Sequence, residues 1–161
     1  MKRVGKILND PGYISNLERI EALEDKRIFC KHGAGHSLDV ARIACILNIE
    51  EMLGYDKEII YTAAILHDIG RGQGERHEHG QTSADAALLF LREYGYSQEE
   101  ISLIIDAIKS HSGQQKAKGD GLSSFSDLIF RADKLSRLCF ICKSRQECDW
   151  PEERKNKELI L

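Results

Sequence analysis

Apolar residues recur along this chain in steps of three and four, the spacing that places them on one face of an α-helix. After the turn signal Asn9-Asp10-Pro11-Gly12, the stripe Ile14, Leu17, Ile20 and Leu23 predicts a first helix over Tyr13 to Arg27. A glycine-rich link, His32-Gly33-Ala34-Gly35-His36-Ser37, leads into a second helix that carries Leu38, Ala41, Ala44, Cys45 and Leu47 on one face. Lys57 to Leu66 reads as a third helix, with Gly70 placed to end it. A fourth carries Ala84, Ala87, Leu88 and Leu91, runs to Tyr94 and is stopped by Gly95. The capping box Ser97-Gln98-Glu99-Glu100 opens a fifth, through Ile101, Ile104, Ile105 and Ile108 to His111. The stretch from Gly113 to Gly121 reads as a loop. A sixth helix follows from Phe125, Leu128, Ile129, Ala132 and Leu135, and it turns Asp133 inward. A last helix is expected from Pro151, a residue favoured in the first turn. No alternating strand pattern occurs, so the fold class is all-α, a single-domain bundle of about six or seven helices.

The length of 161 residues suits one domain, expected to cover 1–161, with its core at about 29–137 and a cysteine-containing segment at 138–161. Residues Met1 to Asp10 hold no continuous apolar stretch of the kind an export signal requires, and no apolar run reaches membrane-spanning length. A cytoplasmic location, without a membrane partner, is therefore expected. The net charge of -3 argues against a broad basic face for duplex nucleic acid. It leaves room for a small phosphorylated partner, held by metal ions and a few local cations.

Four candidate groups lie at the ends or inner faces of predicted helices. His36 starts the second helix, His67-Asp68 ends the third, His111 ends the fifth, and Asp133 lies within the sixth. Imidazole and carboxylate donors suit iron, manganese, zinc or nickel. An adjacent His-Asp pair can serve two ions, with the carboxylate bridging them. The segment Glu75-Arg76-His77-Glu78-His79-Gly80 offers a further ligand, and His79, next to a helix start, is preferred over His77. Each residue alone has a plainer reading. A lone histidine at a helix end is usually a cap, and Asp133 alone would pair with Lys134 or Arg137. The set, in this order, is what points to a metal.

His36, His67-Asp68-Ile69-Gly70 and Asp133 together resemble the HD-domain superfamily of metal-dependent phosphohydrolases, whose pattern is H...HD...D over consecutive helices. The resemblance runs from about Phe29 to Arg137. The segments around His79-Gly80, His111-Ser112 and Ala132-Asp133-Lys134 are most similar to the bacterial diadenosine-tetraphosphate hydrolases. That resemblance implies one metal on His36, His67, Asp68 and Asp133, and a second on Asp68, His79 and His111. It also implies hydrolysis of a nucleotide or dinucleoside polyphosphate by a metal-activated water, with His67 and Asp68 as the catalytic pair. Arg71, Lys134 and Arg137 are candidate substrate-binding residues. The alternative is a metal-bound nucleotide sensor that binds without turnover.

Five cysteines in a chain expected to stay reduced need a role other than disulfides. Cys45 lies on an apolar stripe and reads as core. Cys139, Cys142 and Cys148 form C-x2-C-x5-C, and with Cys30 they offer four thiolates for a separate zinc or iron-sulfur site, although this spacing follows no common ligand pattern.

Overall fold

A computed structural model describes residues 1–73, 79–111 and 124–159. Seven α-helices occur among them: α1 (Lys2–Leu8), α2 (Pro11–Leu23), α3 (Ala34–Glu50), α4 (Lys57–Leu66), α5 (His79–Glu93), α6 (Gln98–Ser110) and α7 (Phe125–Leu135). No strand occurs among the described residues, so the all-α expectation holds. None of these helices is long and apolar enough to cross a membrane. The expected 113–121 loop lies outside the described residues, as does His77.

The fold is organised around α4. Its ten residues are apolar on nearly every side, and a helix of that composition must be covered all round. Ile59, Ile60, Thr62, Ala63, Ala64, Ile65 and Leu66 are all buried. Helices α3 and α6 pack on it from two sides, and α1, α5 and α7 complete the enclosure. Burial of each large apolar side chain here, such as Ile60, Leu66, Ile104 or Leu128, contributes about 1.5–3 kcal/mol. The buried Thr62 hydroxyl lies 2.7 Å from both the Glu58 carbonyl oxygen and the Tyr96 hydroxyl. Because α4 runs through the middle, the residues that follow it, His67 and Asp68, emerge in the centre of the molecule.

Helix starts follow local chemistry. The Asp10, Asp56 and Ser124 side chains accept from backbone N–H groups of the first turns of α2, α4 and α7. Ser97 and Glu100 form the expected capping box at α6. Gly95, at φ 72°, closes α5 in the left-handed region, as expected.

Four expectations are corrected. Residues 2–8, read only for export signals, form α1, which buries Val4 and Ile7. Helix α2 ends at Leu23 and not at Arg27, and it buries Tyr13 and Ile20 while Ile14 and Leu23 of the expected stripe stay exposed. Gly70 does not cap α4 with a positive φ, and its role is set by packing, described below. From Pro151 there is only a three-residue 3-10 turn, Glu152–Arg154, because the charged sequence after Pro151 offers no apolar face to bury.

Candidate metal centre

Six expected side chains meet at the end of α4. His36 arrives from the first turn of α3, His67 and Asp68 from the C-terminal end of α4, His79 from the start of α5, His111 from the end of α6, and Asp133 from α7. His36 Nε2 lies 3.3 Å from His67 Nε2 and 3.4 Å from Asp133 Oδ1. His67 Nε2 lies 3.1 Å from Asp68 Oδ2, and His36 Nε2 lies 3.8 Å from the same oxygen. The other carboxylate oxygen, Asp68 Oδ1, is 3.2 Å from His111 Nε2 and 3.9 Å from His79 Nε2. Two sets of three donor atoms, His36/His67/Asp133 and His67/Asp68/His111, fall within 4.8 Å of one another. Neither set contains a cysteine.

The far sides of the rings are fixed as metal-ligating histidines require. His67 Nδ1 lies 2.6 Å from the Ala64 carbonyl oxygen, and His111 Nδ1 lies 2.5 Å from that of Ile108. Each Nδ1 therefore carries the proton and donates to a carbonyl, which turns the Nε2 lone pair inward. The Ser136 hydroxyl lies 3.2 Å from His36 Nδ1 and donates to the Asp133 carbonyl oxygen, so it sits behind two candidate ligands. The donor set, four imidazoles and two buried carboxylates, fits borderline divalent metals.

Burial opposes ionisation of Asp68, yet the neighbouring His67 and His111 hold its carboxyl well below the usual range. Asp133 is likewise held down against burial, by His36, Lys134 and His67. Both carboxylates are thus kept as anions where a cation is to be held. Burial pushes His67 down, but the Asp68 charge outweighs it and the net shift is upward.

Gly70 explains how α5 comes close enough to deliver His79. A Cβ at this position would lie 2.3 Å from Thr82 C and Ser83 N, both backbone atoms of α5. The Gly70 N–H donates to Ser83 Oγ, and Thr82 Oγ1 donates to the Gly70 carbonyl oxygen. The glycine is required by close backbone approach.

The centre opens into a cavity of about 540 Å³, also lined by Arg71, Lys134 and Arg137. Arg71 Nε lies 3.2 Å from Asp68 Oδ1 but is not aligned with it, so this buried N–H has no hydrogen-bond acceptor among the described residues. Lys134 Nζ contacts Asp133 Oδ2 and donates to the His111 carbonyl oxygen. Arg137 lies 4.0 Å from Asp133 Oδ2 and stacks on the Trp150 ring at 3.8 Å.

The sequence reading missed His32. Its Nδ1 donates to Glu24 Oε1 at 2.6 Å, and its Nε2 accepts from Arg71 NH2 at 3.0 Å. Burial lowers the His32 pKa, which keeps the ring neutral, with one nitrogen to donate and one to accept. Its edge-on contact with His36, four residues later, was legible only as a second histidine in the glycine-rich link.

Comparison with known proteins identifies the family. The HD domain family matches residues 33–138, a span that contains all six candidate ligands. The chain belongs to the HD domain family. An uncharacterized protein of Clostridium beijerinckii is 47% identical over 163 residues, covering 99% of each chain. Ribonuclease Y of Enterococcus faecalis is 35% identical over 103 residues, 63% of this chain and 17% of that enzyme. A bifunctional uridylyltransferase/uridylyl-removing enzyme of Vibrio cholerae is 42% identical over 55 residues, 34% of this chain and 6% of that enzyme. No solved structure gives a significant match. HD domains bind divalent metals, and their superfamily is one of metal-dependent phosphohydrolases.

Proposed function

We propose that this HD domain hydrolyses a phosphoric ester or anhydride in a nucleotide or dinucleoside polyphosphate, using two divalent metal ions that its histidines and aspartates would hold, with Asp68 shared between them. The observation that carries this reading is the division of the Asp68 carboxylate, with Oδ2 towards His67 and His36 and Oδ1 towards His111 and His79. His36, His67, Asp68 and Asp133 would hold one ion, and Asp68, His79 and His111 the other. Bound there, divalent ions supply Lewis acidity, which brings the pKa of water towards neutrality and offsets charge on phosphoryl oxygens.

The protein's own groups do the rest. Arg71 offers its unsatisfied Nε–H to a phosphoryl oxygen beside Asp68. Lys134 and Arg137 flank Asp133 and place two more cations on the same wall. Seven of the chain's 23 Lys and Arg residues line this one cavity, against three aspartates, although the chain as a whole is acidic. Such concentration favours a substrate with several negative charges. The relatives named as a ribonuclease and as a uridylyl-removing enzyme are described by action at nucleotide units, which favours a nucleotide over another phosphate ester.

The test is phosphate or nucleotide release from a panel of mononucleotides and dinucleoside polyphosphates, with manganese, iron or cobalt supplied. Turnover that is lost in His67→Ala and Asp68→Ala is expected. Saturable nucleotide binding by metal-loaded protein without any product would replace this reading with that of a sensor.

A further inference from the structure

The segment from Leu138 to Leu159 is folded without a core of its own. Lys155 is its only described buried residue, while Leu138, Ile141 and Trp150 are exposed. Polar contacts fix its far end. Asn156 Nδ2 donates to the carbonyl oxygens of Lys134, Leu135 and Arg137 at the end of α7, and Lys155 Nζ donates to those of Arg145 and Cys148. The near part, 139–148, carries three of the five cysteines. A segment that buries so little apolar surface needs another tie, and metal ligation is the usual one where thiols stay reduced.

Backbone turns connect the thiol-bearing residues. Cys142 N–H donates to the Cys139 carbonyl oxygen, Arg145 N–H to that of Cys142, and Cys148 N–H to that of Arg145. Cys139, Cys142 and Cys148 all fall on that three-residue step. Cys142 itself is extended and ends the 3-10 turn Cys139–Ile141, before the turns of 143–147 begin. Cys30 lies in the link between α2 and α3. Cys30, Cys139 and Cys148 line the same cavity, and the Cys30 thiol is pushed up by burial and by the neighbouring Cys139 and Cys142 thiols. Chain segments on either side of the HD family match at 33–138 thus bring Cys30, Cys139 and Cys148 to the cavity of the metal centre, with Cys142 near Cys30.

We propose that Cys30, Cys139, Cys142 and Cys148 hold one zinc ion, which ties the link before α3 to the segment after α7. A closed tetrahedral set of four thiolates is the structural form of zinc, with no open position for chemistry. The ion would offset the charge of crowded thiolates, to which Arg137 already contributes one nearby positive charge. No three of the thiols lie within 4.8 Å of one another, so ligation requires the 139–148 turns and Cys30 to draw together. The site is independent of the His and Asp centre and of its proposed reaction.

Cobalt reports the two centres separately, because thiolate ligands give intense near-ultraviolet charge-transfer bands and imidazole and carboxylate ligands do not. Protein stripped of metal and titrated with cobalt(II) under anaerobic conditions should develop those bands, and His67→Ala should retain them. In Cys142→Ser and Cys148→Ser they should be lost or at least halved, with helical circular dichroism unchanged. Protein purified without added metal should release about one zinc per chain when its thiols are blocked with a mercurial. The proposal fails if the wild type shows no thiolate band at cobalt saturation, a measurement that needs no variant to fold. Iron with acid-labile sulfide in anaerobically purified protein would also overturn it, in favour of a cluster.

Discussion

Asp68 approaches His111 Nε2 with Oδ1, at 3.2 Å, and His67 Nε2 with Oδ2, at 3.1 Å. One carboxylate thus divides the histidines into two groups, and this division makes the two halves of the site separable by mutation.

His111→Ala is expected to remove one metal ion per chain and leave the other, whereas Asp68→Asn should weaken both. Even outer-shell partners of metal ligands cost about 10–100-fold in affinity or activity, so loss of His111 should cost at least about 100-fold in turnover. Metal content by elemental analysis, alongside the rate, checks this. Equal retention of both ions in Asp68→Asn would show that the carboxylate does not bridge.

His32 positions Arg71 and touches none of the candidate ligands through a hydrogen bond. Its replacement by alanine removes the acceptor that holds Arg71 NH2 and should leave the metal count unchanged. Lost positioning of a substrate-binding cation is a loss of uniform binding, so KM should rise about tenfold with kcat little altered. Steady-state kinetics at saturating metal separates this from a fall in kcat at constant KM, which would place His32 in the chemistry.

Much of this site was legible because its residues sit at helix boundaries, and capping and periodicity mark those boundaries. Lys57–Leu66 is bounded as expected, and its continuous apolar character already implied a buried helix whose end must deliver His67 and Asp68 to the interior. His32 was not legible, because its role depends on Glu24 and Arg71, which reach it only through the packing of α2 against the turn after α4. Helix α1 was missed because it is a seven-residue amphipathic piece with only Val4 and Ile7 to bury, too short for periodicity to stand out. Gly70 was read as a helix stop, since a glycine after a helix suits either a positive φ or a close backbone approach, and only the position of α5 decides between them.

That packing constraint is measurable. Gly70→Ala places a methyl group against α5 backbone atoms that cannot rotate away, and overpacking of this kind should cost about 3 kcal/mol. Gly5→Ala, within α1 and with nothing near its Cβ position, should instead stabilise by about 0.5–1 kcal/mol through helix propensity. Urea unfolding with unchanged m-values tests both. A Gly70→Ala protein within about 0.5 kcal/mol of wild type would mean that α5 can move away freely.

The last relationship ties stability to acid. Arg3 Nε donates to Glu58 Oε2 at 2.9 Å, its two terminal nitrogens donate to Glu100, and its guanidinium lies 3.9 Å from the centre of the Tyr96 ring. This one side chain joins α1 to α4 and to the start of α6. Burial opposes ionisation of Glu58, but the amino terminus and Arg3 bring its pKa down from 4.5 to about 2, and Arg3 lowers that of Glu100 as well. A carboxyl whose folded pKa is depressed contributes stability above its unfolded pKa and loses it as pH falls through the folded value. The contribution should therefore be complete at neutral pH, decline below about 4.5 and be gone near pH 2. Arg3→Met removes the partner while keeping the length of the side chain. The difference in Tm between wild type and this variant should be constant from neutral pH down to about 5, and should shrink steadily towards pH 2. A gap that stays the same across the acid range would assign the Arg3 contribution to its stacking on Tyr96 and not to its carboxylate partners.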